Sequence, residues 1–172
     1  RRQGEKNRAN TPNRPRNQHG GPKLGYAFVH TVIDDHSRVA YTEVQDDETA
    51  VTSVGVLHRA VEWFAEHGVT IERILSDNGS AYRSYLWRDT CEALSIRPKF
   101  TRPYRPQTNG KVERFHRTMA DGWAYARCYR TEQERRDALA DWLHHYNQHR
   151  PHTACGNQSP FSRLINVPGQ YT

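Results

Sequence analysis

The stretch "VTIERILSDNGSAYRSYLWRDTCEAL" (residues 69–94) decides the fold. "VTIERILS" is rich in β-branched and aliphatic residues and reads as a short strand over 69–76. "DNG" follows at once and signals a tight turn. "SYLWRDTCEAL" (84–94) then reads as a helix, with Ser84 placed to cap it. A strand leading through a turn into a helix belongs to an α/β layout. Asp77 is the first residue beyond the strand. A carboxylate there stands at the carboxyl end of a strand, the rim where α/β proteins place their ligands. Gly79 is expected to let the chain turn sharply and keep that rim open. Taken alone, the same three residues also make an ordinary turn, which aspartate, asparagine and glycine all favour.

Toward the start of the chain, "DDETAVTSVGVLHRAVEWFAEHG" (46–68) places Val54, Leu57, Val61 and Phe64 on one helical face. Asp46 or Asp47 is the expected cap and Gly68 the expected stop. "GYAFVHTVI" (25–33) and "RVAYTEV" (38–44) read as a hairpin joined by "DDHS", and the first run is apolar on both faces, as a buried strand is. Residues 1–23 have almost no apolar side chains and read as a basic arm or loop. In the other direction, "SIRPKFTRP" (95–103) is strand-like, and Pro106, Asn109 and Gly110 mark a loop over 104–110. A helix is expected from about Lys111, with Val112, Phe115 and Met119 on its buried stripe. Thr131 and Glu134 form a capping box for a last helix that turns Leu139, Trp142, Leu143 and Tyr146 inward and ends by Pro151. The expected organisation is an arm over 1–23, one core over 24–165 and a tail over 166–172.

The chain has 172 residues and a net charge of +6. Residues 1–23 hold seven basic groups and one acidic group; residues 97–117 hold another seven against one. Two separate basic zones suit a polyanion, because phosphates attract clustered lysine and arginine. The three cysteines form no CxxC pair, and reduced thiols are the expectation. No stretch has the ~18 apolar residues of a membrane span, and no leader for secretion is visible, so a cytoplasmic protein is expected. The chain opens on Arg1 rather than methionine, as a piece of a longer protein would. No GxSxG, GxxxxGK[ST] or GxGxxG occurs, which leaves hydrolase, P-loop and dinucleotide readings without support. His145 and His149 stand at i, i+4 but lack further ligands at zinc spacing.

Glu113 is the one acid in the second basic zone. It lies about 100° around the helix from Val112, so it borders the packed face. A surface pair with Arg117 at i+4, worth roughly 0.3–0.5 kcal/mol, is the plain explanation. That pair does not account for the proline-asparagine-glycine loop aiming the helix start.

"SDNGSAY" (76–82) followed by "TRPYRPQTNGKVERFHRT" (101–118) resembles the DDE transposases and retroviral-type integrases, and among them the insertion-sequence transposases with an RNase H-like core. Asp77 and Glu113 are separated by 35 residues, the spacing of that family's second and third acidic groups. "VIDDHSRVAY" (32–41) and "YNQHRPHTACGNQSP" (146–160) extend the likeness over about 25–165. The resemblance implies an RNase H-like mixed sheet flanked by helices. It implies Asp77 and Glu113 as catalytic residues and ligands of Mg²⁺ or Mn²⁺, hard cations that favour carboxylate oxygens. It implies two-metal cleavage and joining of phosphodiesters, with transposon ends and target DNA as partners and a homo-oligomer as the intact assembly. Arg102, Tyr104, Arg105, Gln107, Asn109, Lys111, Arg114 and Arg117 are then the candidate DNA contacts, holding the backbone without reading sequence.

The family uses three acids, the first on a central strand ahead of "GYAFVHTVI". The resemblance therefore implies a core truncated at its N-terminus. Asp34 and Asp35 are hairpin residues in the resembling proteins and are not substitutes. Two carboxylates alone hold a metal pair poorly, and a chain inactive in strand transfer is expected. A non-catalytic DNA-binding remnant and a ribonuclease H-like nuclease are the rival readings.

Overall fold

The two β-branched runs form a hairpin. β1 (Phe28–Ile33) pairs antiparallel with β2 (Ala40–Gln45), from Phe28 opposite Gln45 to Ile33 opposite Ala40. The computed structural model describes residues 27–102 and 110–164. The arm over 1–23 therefore lies outside the described residues, as do Tyr104, Arg105, Gln107 and Asn109. β1 packs on both faces, as its composition implies: Val29 and Ile33 meet one apolar cluster and Val32 another. It is less buried than expected, for only His30 is fully covered.

α1 (Ala50–Glu66) follows, and Gly68 ends it in the left-handed region at φ +76°. Its cap is neither Asp46 nor Asp47. The Thr49 hydroxyl accepts from the Thr52 amide, while Asp47 accepts from the Thr49 amide at 3.0 Å and the Thr52 hydroxyl at 2.5 Å. The aspartate braces the cap and the threonine makes it.

β3 (Arg73–Ser76) is shorter than the expected 69–76 run. It pairs in parallel with β4 (Arg97–Phe100), Arg73 opposite Arg97 and Ser76 opposite Phe100. α2 (Tyr85–Ala93) lies between them, capped by Ser84 as predicted. The hairpin and the β3–β4 pair are separate two-stranded sheets among the described residues. Each sheet thus keeps a strand edge without a ladder partner there, β1 in one and β3 in the other.

α3 (Gly110–Met119) runs into a single π turn (Ala120–Ala124) and a short connection to α4 (Glu132–Gln148). Half of the predicted capping box is present, with the Thr131 hydroxyl accepting from the Glu134 amide at 3.0 Å. Glu134 reaches back to the Arg130 amide at 2.8 Å. Phe115, Met119, Trp123, Leu139 and Tyr146 close one core over Ala40. Phe115 meets Tyr146 edge to face at 4.9 Å; removing such a buried ring costs about 3–5 kcal/mol. Trp142 and Leu143 join this core half-buried, and Val112 is likewise half-buried.

α4 also closes the outer edge of β2. Buried Asn147 donates to the Ala40 carbonyl at 2.8 Å and accepts from the Ala40 amide at 2.9 Å. Three turns earlier, Arg136 donates to the Val44 carbonyl at 3.0 Å. Side chains here take the place of a neighbouring strand.

Candidate active site

Asp77 follows β3 directly and is exposed. One of its carboxylate oxygens accepts from the Gly79 amide at 2.8 Å. Asn78 ties the turn to the end of β4, donating to the Thr101 carbonyl at 2.9 Å. The Thr101 amide in turn donates to the Ser76 carbonyl at 2.9 Å. The rim is therefore a fixed corner between two parallel strands.

The need for glycine at position 79 differs from the one expected. Gly79 does not occupy the left-handed region. A Cβ there would stand 2.9 Å from the Asp77 carboxylate and 3.5 Å from the Tyr82 ring. Its role is to leave room for the carboxylate. Tyr82 packs edge to face on Trp87 at 4.9 Å. Burial raises its phenol above the usual range, and the Asp77 and Glu48 carboxylates push it further.

Glu113 lies in the first turn of α3 and is exposed. A negative charge is favourable at a helix start. The pair with Arg117 does not form; among the described residues Glu113 has no ion pair or side-chain hydrogen bond. Behind it, His116 reaches the hairpin at 3.0 Å from the Thr31 hydroxyl, and burial lowers its pKa.

Of the candidate DNA contacts, Arg102, Lys111, Arg114 and Arg117 are described and all are exposed. Lys111 and Arg114 line one cleft, and Lys111 pairs with Asp35. Among the described residues Asp77 and Glu113 share no hydrogen-bond partner. His149 approaches His144 at 3.3 Å, and its ring centre lies 6.0 Å from that of His145. No group of three or more metal-ligating side chains occurs among the described residues. None of their helices is long and apolar enough to cross a membrane.

The donor chemistry suits a hard divalent cation. Both acids are exposed carboxylates, and only one Asp77 oxygen is engaged by its own turn.

Two models of an integrase core domain match the chain, one over residues 14–106 and one over 94–160. An uncharacterized 39.2 kDa protein of insertion element IS476 from Xanthomonas euvesicatoria is 27% identical over 160 residues, covering 83% of this chain. The chain spans 44% of that relative's length. The catalytic core domain of BIV integrase superposes with a TM-score of 0.63 at 23% identity, covering 79% of this chain and 84% of the other. The HTLV-2 integrase core, solved in complex with magnesium in a trimeric form, gives 0.66 at 16% identity, covering 80% and 84%. At such identities these structures show the fold, an RNase H-like integrase core.

Proposed function

Because the chain belongs to the integrase core domain family, we propose that Asp77 and Glu113 are two of the acids of a metal-dependent DNA-joining site. The observation that carries this reading is the Asp77 corner. The family's spacing puts an acid there, and the turn leaves one carboxylate oxygen unengaged at the rim of the sheet. Glu113, with no partner among the described residues, supports it from α3.

Mg²⁺ or Mn²⁺ held by these carboxylates would supply polarisation of a scissile phosphate and of an attacking hydroxyl. The protein's own part is to position. The Gly79 amide holds the carboxylate of Asp77 while Asn78 ties its turn to Thr101, the first turn of α3 presents Glu113, and Arg102, Lys111, Arg114 and Arg117 hold the DNA backbone. Tyr104, Arg105, Gln107 and Asn109 complete the set of DNA contacts. The reaction is in-line displacement at a phosphodiester, by water in cleavage and by a DNA 3′-hydroxyl in joining. Transposon ends and target DNA are the partners, and the intact assembly is a homo-oligomer, in line with the trimeric form of the HTLV-2 core. The catalytic unit spans 24–165, with 1–23 as a basic arm and 166–172 as a tail.

Two carboxylates are fewer than the family's three, so the 172-residue chain is expected not to perform strand transfer alone; a single-turnover assay at normal rates would refute this. Asp77→Asn tests the site itself. Titration of Mn²⁺ by calorimetry is expected to show affinity reduced at least about tenfold, beyond what loss of an outer-shell partner alone brings at its lower end. Unchanged affinity would discard the metal site and leave a DNA-binding remnant. Cutting without joining by an oligomeric assembly would favour the nuclease.

A further inference from the structure

A cleft of about 450 Å³ opens on another flank of α3. Lys111, Arg114 and Thr118 line it from the helix, Arg38 from the hairpin turn, and Arg150 and His152 from beyond α4. Lys111, Arg114 and Thr118 stand at i, i+3 and i+7, the spacing of one helical stripe. Glu113 lies about 100° from Arg114 and about 160° from Lys111 around the axis. The cleft and the acid thus face different sides.

Its charge is one-sided. Four cations, Arg38, Lys111, Arg114 and Arg150, meet a single carboxylate, Asp35, which pairs with Lys111 and, at 3.8 Å, with Arg38. Arg114 and Arg150 have no ion pair among the described residues. Arg150 stacks over the Tyr146 ring at 5.8 Å. Burial lowers the pKa of His152, and Arg38, Arg150 and Arg114 lower it further. Three arginines from three separate parts of the chain therefore act on one imidazole. Its Nδ1 accepts from the Ala154 amide at 3.2 Å, which leaves the proton of the neutral ring on Nε2.

The backbone adds an independent sign. Arg38 stands in the left-handed region at φ 71°, a conformation that glycine adopts freely and an arginine adopts at a cost of about 1–2 kcal/mol. The hairpin turn, in which the Arg38 amide donates to the Asp34 carbonyl at 3.0 Å, holds that conformation and sets the arginine against the cleft.

We propose that this cleft is a second phosphodiester site, in which Arg38, Arg114 and Arg150 grip the backbone of a DNA segment and His152 donates to it. The inference rests on the reading that DNA is the partner, and it adds Arg38, Arg150 and His152 to the surface that holds it. Three guanidinium groups with an imidazole N–H suit phosphate oxygens, which take planar, charge-assisted hydrogen bonds. Lys111 and Arg114 border this cleft as well, so it carries the DNA-holding surface of α3 onto the flank away from Glu113.

The experiment is binding of a fluorescein-labelled 30-base-pair duplex to the 172-residue chain in EDTA, followed by anisotropy across potassium chloride concentrations. Arg38→Gly and Arg150→Gln are each expected to lower the slope of log K against log salt by about 0.9, one phosphate contact. Arg38→Gly relieves the backbone and should fold at least as well. In the unaltered chain the duplex is expected to raise the pKa of His152, read from its ring protons by NMR, because a phosphate offsets the three arginines. Unchanged slopes in both variants, or a His152 resonance indifferent to the duplex, would overturn the proposal. So would thymidine monophosphate shifting His152 at the same phosphate concentration, which would make the cleft a mononucleotide site. EDTA keeps this result independent of the acids. Failure here with Mn²⁺ binding intact removes the cleft alone, and loss of the metal reading with intact slopes removes only that.

Discussion

Asp34 and Asp77 begin from the same position and end differently. Each is the first residue after a strand, Asp34 after β1 and Asp77 after β3, and each opens a turn. Asp34 is half-buried, and one of its oxygens accepts from both the amide and the hydroxyl of Ser37 at 2.6 Å. Ser37 is itself buried and accepts from the Val39 amide. The hairpin binds that oxygen through two donors of one buried residue. Asp77 is exposed and takes one amide, from Gly79. Sequence composition treats the two turns alike, and what separates them is burial: the Asp34 oxygen serves two donors of buried Ser37, while Asp77 stands exposed with one amide. That contrast assigns Asp34 to the hairpin and supports Asp77 as a ligand.

The largest test removes the structural member. Asp34→Ala leaves a buried amide and hydroxyl unsatisfied and is expected to cost about 2–3 kcal/mol. For a chain of this size that is a fall in Tm of roughly 4–12 °C. A midpoint unchanged in thermal unfolding would erase the distinction. Asp77→Asn is the mirror image, with Tm nearly constant while Mn²⁺ affinity drops.

Gly79→Ala sharpens the comparison further. The new Cβ must displace the Asp77 carboxylate, so Mn²⁺ affinity is expected to fall several-fold, on the order of 1 kcal/mol. Tm should hold or rise slightly, since alanine restricts the unfolded chain and meets no left-handed backbone. Equal affinity in titration would show that the corner does not set the carboxylate.

The smallest effect concerns the helix that carries Glu113. The pKa of His116 lies below its ordinary value because the ring is buried. The unfolded chain therefore binds more protons, and stability is present above about pH 6.5 and declines as pH falls through that value toward the folded pKa. His152 acts with the same sign. His116→Gln should flatten part of the decline in Tm between pH 7 and 5, leaving the Asp34 turn untouched. A variant with the original pH profile would assign the decline elsewhere.

What was legible in the sequence was local. The caps Ser84 and Thr131 and the stop at Gly68 follow from a few adjacent residues. The cap of α1 was not, because Asp46, Asp47 and Thr49 are all competent and the choice depends on which carboxylate braces which hydroxyl. β3 reads as eight residues yet forms four, because a strand extends only as far as its partner, and β4 starts at Arg97 after a turn through Ser95. The π turn beyond α3 has no residue signature. Asn147 was visible within a family motif, but its grip on Ala40 joins positions 107 apart. The cleft escaped for the same reason, its cations being scattered from 38 to 150.

The way α4 covers β2 has a practical consequence. Bare strand borders invite stacking of one molecule on the next, and here Asn147 and Arg136 already occupy that border of the hairpin. Clumping through β2 would require the last helix to peel away first, which leaves the β1 and β3 borders, not β2, as the places where stacking among the described residues would begin.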